Sequence, residues 1–444
     1  MQAWAVHGVE LPFGDQPASW WIDGSGAVHD RPVAGADPLP GGFVLPGLVD
    51  AHAHPAVGSG PAGPVPLTAG AARSNLVAWA QAGITLVRDV GSASGLTLQL
   101  GSGPGRPALQ AAGRFLAPAG RYFPDLLGAP VDEAGLVDAA VAEIGRGAAW
   151  VKVIADFPDL AVGTDAEATY RIDAIARLVA AAHEAGARVA VHSTVPGAGQ
   201  LVAAGVDSVE HGFGLDERAV RDMADRGTAW TPTVGALLAL LDAPDMTPQR
   251  RRRLQEGRAR IAELLPLAVR LGVPVLAGTD VTGSIPREVA LLARMGLEPQ
   301  DALAAASTWP RRFLGAPRPP TSSPTSMTPA RTRTSWPARR PSWPAASGCD
   351  EPLHAPEVGC PGQSHPRTTD LLPCSSTVGR RSGAGGDQSV RPCHSLATHL
   401  ISTNSSGKAK RSIWTMVLAT TGFPAKTSSF IFTRAWNAAS MSRT

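Results

Sequence analysis

The chain has 444 residues, enough for one large domain or two or three smaller ones, and 44% are hydrophobic, which allows a sizeable core. Lysine plus arginine number 40 against 37 acidic residues, a net charge of +3, so the overall balance makes no case for nucleic acid. No run of about 18 apolar residues marks a membrane span, and all four cysteines (Cys349, Cys360, Cys374, Cys393) fall late, which excludes a disulfide framework for the main body.

The first eight residues lack a basic region followed by an apolar one, so no signal peptide is expected and a cytoplasmic enzyme is the default. Residues 1–44 hold short β-like pieces, with 19–29 reading as a hairpin around Asp23 and Gly24. This is too little chain to fold alone, so it should pack on something else. From 45 to 316 strand and helix signals alternate. The first strand is the apolar run from Val44 to His54, with Pro46 and Gly47 placed to bend the chain. Further strands are expected at 84–90, 108–113, 150–156, 188–194, 208–212, 229–234 and 274–280. Alanine-rich helices lie between most of them, such as 170–185, closed by Gly186. This order implies an α/β fold with a parallel sheet, and eight strands over this length fit a (β/α)8 barrel of the TIM type. Across 317–444 proline, serine, threonine and arginine dominate and periodicity disappears, which predicts a disordered tail.

The strand ends carry the chemistry. Residues i and i+2 of a strand point the same way, so His52 and His54 can meet one metal ion. The fourth strand carries Lys152, the fifth ends at His192, the sixth at His211 and the eighth at Asp280. Each has an ordinary reading as well: a hydrogen-bonded core histidine, a lysine paired with an acid, an aspartate capping a helix. Their shared placement at the C-terminal mouth, where barrel enzymes keep their active sites, points to a site.

Five motifs carry a family resemblance: Pro46-Gly-Leu-Val-Asp-Ala-His-Ala-His54, Val151-Lys-Val153, Ala190-Val-His192, Val209-Glu-His-Gly212 and Ala277-Gly-Thr-Asp280. With the helical stretch from Arg287 to Thr308 they resemble the amidohydrolase superfamily, in its imidazolonepropionase-like and metal-dependent prolidase-like branch, over about residues 40–315. The resemblance implies hydrolysis of amide-like C–N bonds (peptide, N-acyl or cyclic amide) in a small substrate. It implies that His52 and His54 hold one metal and His192 and His211 a second. Lys152, as a carbamate made with carbon dioxide, would bridge them. Asp280 would ligate the first metal and act as the catalytic proton carrier. Two Zn²⁺ are expected, with Mn, Fe or Co as alternatives.

Zinc deaminases of this fold usually place a glutamate three residues after the strand-five histidine; here Ser193, Thr194 and Val195 follow His192. That favours amide hydrolysis. A mononuclear ring-opening hydrolase or deaminase, and a catalytically impaired scaffold, are the alternatives. In the loop after strand three, Arg114 or Arg121 could bind a substrate carboxylate and Tyr122 could support an oxyanion; an ordinary surface loop is the competing reading. The expected partner is a small molecule, with no nucleic acid and no membrane, and the chain could form a homo-oligomer.

The family normally closes with strands that return to the N-terminal segment and complete a small β-sandwich, often through a phrase like Ala-Asp-Leu-Val. No such phrase follows Gly315. GC-rich back-translation of residues 320–330, read one nucleotide earlier, allows it. A frameshift between about Gly315 and Pro320 is therefore expected, leaving the sandwich incomplete and its apolar edges open.

Overall fold

A computed structural model describes residues 2–60, 63–243, 246–315, 398–403, 409–417 and 430–437. The N-terminal segment forms a sheet around β1 (Trp4–Glu10). β1 pairs antiparallel with β2 (Pro17–Ile22), which pairs with β3 (Val28–His29) in the expected hairpin. Its turn is held by Asp23, whose carboxylate accepts from the N–H groups of Ser25 and Ala27, the local bond that makes aspartate a turn residue. β4 (Asp37–Leu39) and β5 (Phe43–Pro46) run parallel to β1. Val6, Trp20, Ile22 and Val44 form the apolar core of this sheet.

The apolar run read as one strand from Val44 to His54 is two. β5 stays with the N-terminal sheet, and β6 (Leu48–Ala53) enters the main body. The break is at Gly47, whose carbonyl accepts from the Arg311 side chain at 3.1 and 2.9 Å. A short hairpin of β7 (Val57–Gly60) and β8 (Gly63–Pro66) follows. Next come α1 (Ala69–Gln81), capped by Thr68, and β9 (Ile84–Asp89), β10 (Ala108–Ala111) and β11 (Phe115–Leu116). Then come α2 (Leu136–Gly145), β12 (Trp150–Ile154), the small pair β13 (Asp156–Phe157) and β14 (Glu167–Ala168), and α3 (Ile172–Glu184). β15 (Arg188–Ser193), α4 (Ala198–Ala203), β16 (Ser208–His211), α5 (Glu217–Arg226) and β17 (Ala229–Thr231) continue the alternation. Five helices follow: α6 (Val234–Leu241), α7 (Pro248–Leu271), α8 (Ile285–Arg294), α9 (Pro299–Ala305) and α10 (Thr308–Phe313).

The strands pair in parallel as two arcs, β10-β9-β6 and β11-β12-β15-β16-β17, rather than as one unbroken ladder. Isolated bridges Ser92 to Arg114, Trp230 to Val275 and Ala53 to Asp280 lie at the seams. The segment expected as the eighth strand is thus not a regular strand. It is held by single bonds, among them Ala51 N–H to Ala277 O at 2.9 Å and Asp280 N–H to His52 O at 2.7 Å. Gly278 is the reason it can come so close: a β-carbon there would lie 2.5 Å from the His52 β-carbon.

Helices cover the arcs through one stripe each. α3 buries Ala174, Ile175, Leu178, Val179 and Ala182, the i, i+1, i+4, i+5, i+8 spacing of an amphipathic helix. They share a core with Val151, Val153, Val189, Val191 and Val209 of the strands. Burying Leu178 completely stabilises the fold by roughly 1.5–3 kcal/mol.

Most of the segment read as disordered or out of frame lies outside the described residues. Within it, β18 (Thr398–Thr403), β19 (Ala409–Val417) and β20 (Phe430–Asn437) are antiparallel, and β20 pairs with β5 from Phe430 opposite Pro46 to Thr433 opposite Phe43. The β5 edge expected to stay open therefore carries a partner; a ladder is made by backbone groups and needs no particular side-chain phrase. Among the described residues no helix is long and apolar enough to cross a membrane.

Candidate metal centre

β6 brings His52 and His54 to its end on one side, with ring centroids 5.3 Å apart, and both are buried. His52 Nδ1 lies 2.6 Å from Glu210 Oε2, so it carries the proton and leaves Nε2 with a free lone pair. His54 Nδ1–H donates to Gly91 O at 2.8 Å, which turns Nε2 toward Asp280. His211 ends β16 with its ring 5.0 Å from that of His52 and 4.6 Å from that of His192, and its Nδ1 lies 2.7 Å from Thr233 Oγ1. Asp280 Oδ1 is 3.4 Å from His54 Nε2 and 3.9 Å from His52 Nε2.

Donor atoms of His52, His211 and Asp280 all lie within 4.8 Å of one another. Two donors on one Zn²⁺ lie about 2.0–2.2 Å from it, so no more than about 4.4 Å apart; small rotamer adjustments close the difference. The grouping joins His52 and Asp280 to His211 across the arcs, whereas the family resemblance implied His52, His54 and Asp280 on one metal and His192 with His211 on a second. His192 stands beside His211 and Phe157, outside the group of three.

Charge favours ligation. Burial, with the Lys152 charge behind it, pushes His52 down to about 4 against the pull of Glu210. Burial, with His52, pushes His211 down to about 3. Both rings are therefore neutral at physiological pH, the form that binds a metal. Burial alone would lower His54, but the Asp280 carboxylate beside it raises it. Burial alone would raise Asp280, yet the His54 hydrogen bond and the imidazoles hold it well below the carboxylate range.

Lys152 sits at mid-strand in β12, opposite Phe115 on one side and Ala190 on the other. It is 1% exposed, and its Nζ has no hydrogen-bond partner. A buried ammonium without partners is rare because its desolvation is not compensated. Burial lowers it to about 8 although Glu210 and Asp280 oppose the shift.

Several residues that hold the centre escaped the sequence reading. Glu210 accepts from Arg88 Nη2 at 2.8 and 3.0 Å and from Ser208 Oγ at 2.5 Å besides binding His52. Burial works against its charge, but Arg88 and His52 keep it well below the usual range. Arg88 also donates to Thr231 Oγ1 and stacks over the Trp150 ring at 4.6 Å. Asp50 takes the N–H and hydroxyl of Thr279 at 3.1 and 2.6 Å, anchoring the residue before Asp280. The available signal was a charged residue inside each apolar strand: Asp50, Arg88 and Glu210.

The three residues proposed for substrate fare unequally. Arg114 is tied to Glu143 of α2, Nε to Oε1 at 2.6 Å. Arg121 donates to the carbonyls of Phe157, Glu167 and Ala168, holding the β13–β14 pair. Both arginines are thus engaged in bonds within the chain, Arg114 to a buried glutamate and Arg121 to backbone carbonyls. Tyr122 does lie by the centre: its phenol is raised by burial and then by the Asp280 charge. It belongs to a ring cluster in which Phe115 contacts His54 at 5.4 Å, Tyr122 contacts Phe115 at 4.8 Å and Phe157 at 5.1 Å, and Phe157 contacts His192 at 5.9 Å.

The model of the amidohydrolase family matches residues 43–319. An uncharacterized protein of Mycobacterium tuberculosis (strain H37Rv) is 36% identical over 325 residues, which is 70% of this chain and 85% of that protein. A solved Xaa-Pro dipeptidase with methionine bound in its active site superposes with a TM-score of 0.59 at 22% identity, over 71% of this chain and 89% of that one. The ochratoxinase of A. niger superposes with a TM-score of 0.58 at 18% identity, over 70% and 84%. At these identities the two structures speak to the fold alone.

Proposed function

This chain belongs to the amidohydrolase family, and from that premise we propose that it is a metal-dependent hydrolase cleaving an amide-like C–N bond of a small substrate at the mouth of a (β/α)8 barrel. What carries this is the convergence of His52, His211 and Asp280 beside the unpartnered Nζ of Lys152. The donor set fits a divalent cation: neutral imidazoles whose Nδ1 atoms are already engaged, and an ionised carboxylate. A divalent ion held there would supply Lewis acidity toward the scissile carbonyl and toward water.

The remaining chemistry falls to the chain. Asp280 is ionised and its side chain is 23% exposed, so it can take a proton from the attacking water and return it to the leaving amine. Glu210 fixes the tautomer of His52. A neutral Lys152 amine can add carbon dioxide, forming an N–C bond and releasing one proton, which turns a stranded amine into an anion with two donor oxygens. That carbamate, with His54 beside Asp280 and His192 beside His211, would add donors for a second ion. Deamination is disfavoured because Ser193, Thr194 and Val195 follow His192, with no glutamate at the third position, and Asp156 near the end of β15 is engaged by Thr194 through N–H and Oγ1. The aromatic cluster offers the substrate an apolar surface.

Chelation should abolish hydrolysis across a panel of N-acyl amino acids, dipeptides and cyclic ureides, and Zn²⁺, Mn²⁺ or Co²⁺ should restore it. His52→Ala and His211→Ala should each lose metal; retention of metal and activity by both would overturn the assignment. A single-ion centre is the second reading, favoured by the three donors meeting at one point. Metal content decides: Lys152→Ala should lower the metal bound per chain in a two-ion centre and leave one ion in a mononuclear centre.

A further inference from the structure

α6 begins at Val234, directly after Thr233. A threonine in that place ordinarily caps its own helix, the hydroxyl accepting from the second or third helical N–H. Thr233 makes no such bond. Its Oγ1 is 2.7 Å from His211 Nδ1, and its φ is 44°, a left-handed conformation that a β-branched residue rarely adopts. The hydroxyl that would close the helix holds an imidazole instead. The first N–H groups of α6 are buried and must find another acceptor.

Glu288 of α8 is that acceptor. Its Oε1 takes the Val234 N–H at 2.7 Å and its Oε2 the Gly235 N–H at 2.8 Å, and the residue is 2% exposed. Gly235 allows the approach, since a β-carbon there would lie 3.1 Å from Oε2. We infer that Glu288 is a positioning residue for His211: by capping α6 from a neighbouring helix it frees the Thr233 hydroxyl to fix the orientation of the His211 ring. Without the carboxylate the simplest relief is for Thr233 to return to its own helix. His211 would then lose its Nδ1 partner and turn.

The consequence for metal rests on the proposed centre, so the test carries one readout that needs no metal. Full-length parent, Glu288→Gln, Thr233→Val, Thr233→Ser, the Gln–Val double variant and Leu237→Ala are compared. Zn²⁺ affinity is read by chelator competition, and the histidine side-chain ¹⁵N signals are read in the metal-free chain. Gln keeps the shape of Glu288 but turns an amide N–H₂ toward one helix N–H. Glu288→Gln should weaken Zn²⁺ binding about 10-fold or more, the size of an outer-shell loss, and should shift the His211 signal. Thr233→Val should do the same, Thr233→Ser should retain parental behaviour, and the double variant should lose no more than the larger single one. Leu237→Ala, which removes a fully buried side chain from the same helix, should lower thermal stability and leave Zn²⁺ affinity unchanged. A parental His211 signal and affinity in Glu288→Gln, additive losses in the double variant, or an equal loss in Leu237→Ala would each overturn the inference. If the parent binds no Zn²⁺ the metal-centre reading fails, and the His211 signal still decides the positioning role.

Discussion

His211, Thr233 and Asp280 have φ of 66°, 44° and 59°, and among the described residues they are the non-glycine positions with positive φ. Neighbours on a strand normally point to opposite faces. The left-handed turn at His211 brings it and the preceding Glu210 to the same side, where both meet His52. Strain of this kind persists where surrounding bonds over-determine it, and here it aims candidate ligands. Glu210→Gln should therefore cost about 10–100-fold in metal affinity, because it weakens the bonds to both His52 and Arg88; chelator competition measures it. Lys152 yields a test on the metal-free chain. Its folded pKa of about 8 lies below the unfolded 10.5, so between those values the unfolded chain binds the extra proton. Stability should rise with pH from about 8 toward 10, by an amount on the order of 3 kcal/mol if the window is crossed completely. Denaturant titrations at several pH values should lose this slope in Lys152→Met.

At the scale of elements, the covering helices and the centre make separable contributions. Leu178→Ala opens a cavity between α3 and the strands and should cost about 2–5 kcal/mol; metal content at low temperature should stay parental. Arg114 tells the same story from the loop after β10. Its bond to Glu143 ties that loop to α2, and Glu143 also holds Arg146. Arg114→Ala should lower stability by about 1–3 kcal/mol with KM unchanged. A large rise in KM at parental stability would restore Arg114 as a substrate clamp.

For the whole molecule, metal held at the proposed centre would be linked to folding. Any ion that binds only the folded chain stabilises it, by about 2.7 kcal/mol at 100 times Kd. Removing metal should lower Tm by several degrees and restore it on Zn²⁺ addition, and the shift should vanish in His211→Ala. The seams between the two arcs are where the effect should concentrate. His52 and Asp280 lie on the segments joined by the Ala53 to Asp280 bridge, so an ion between them would reinforce a join that single backbone bonds now make.

The sequence by itself determined the α/β alternation, the starts of most strands and the candidate side chains for the centre. These are local properties: period-two alternation puts His52 and His54 together, and the candidate histidines and Asp280 sit where apolar runs stop. The tertiary structure alone decided which of those side chains face one another. His52 binds Glu210 across 158 positions, Glu288 caps a helix 53 to 54 positions away, and Arg114 is taken by Glu143. It also split the first apolar run at Gly47 and left the eighth segment as bridges. Local periodicity sets the direction of a side chain relative to its own strand. Its partner depends on which strands lie side by side, on left-handed turns that re-aim a residue, and on competing acceptors that only the folded chain brings within 3 Å.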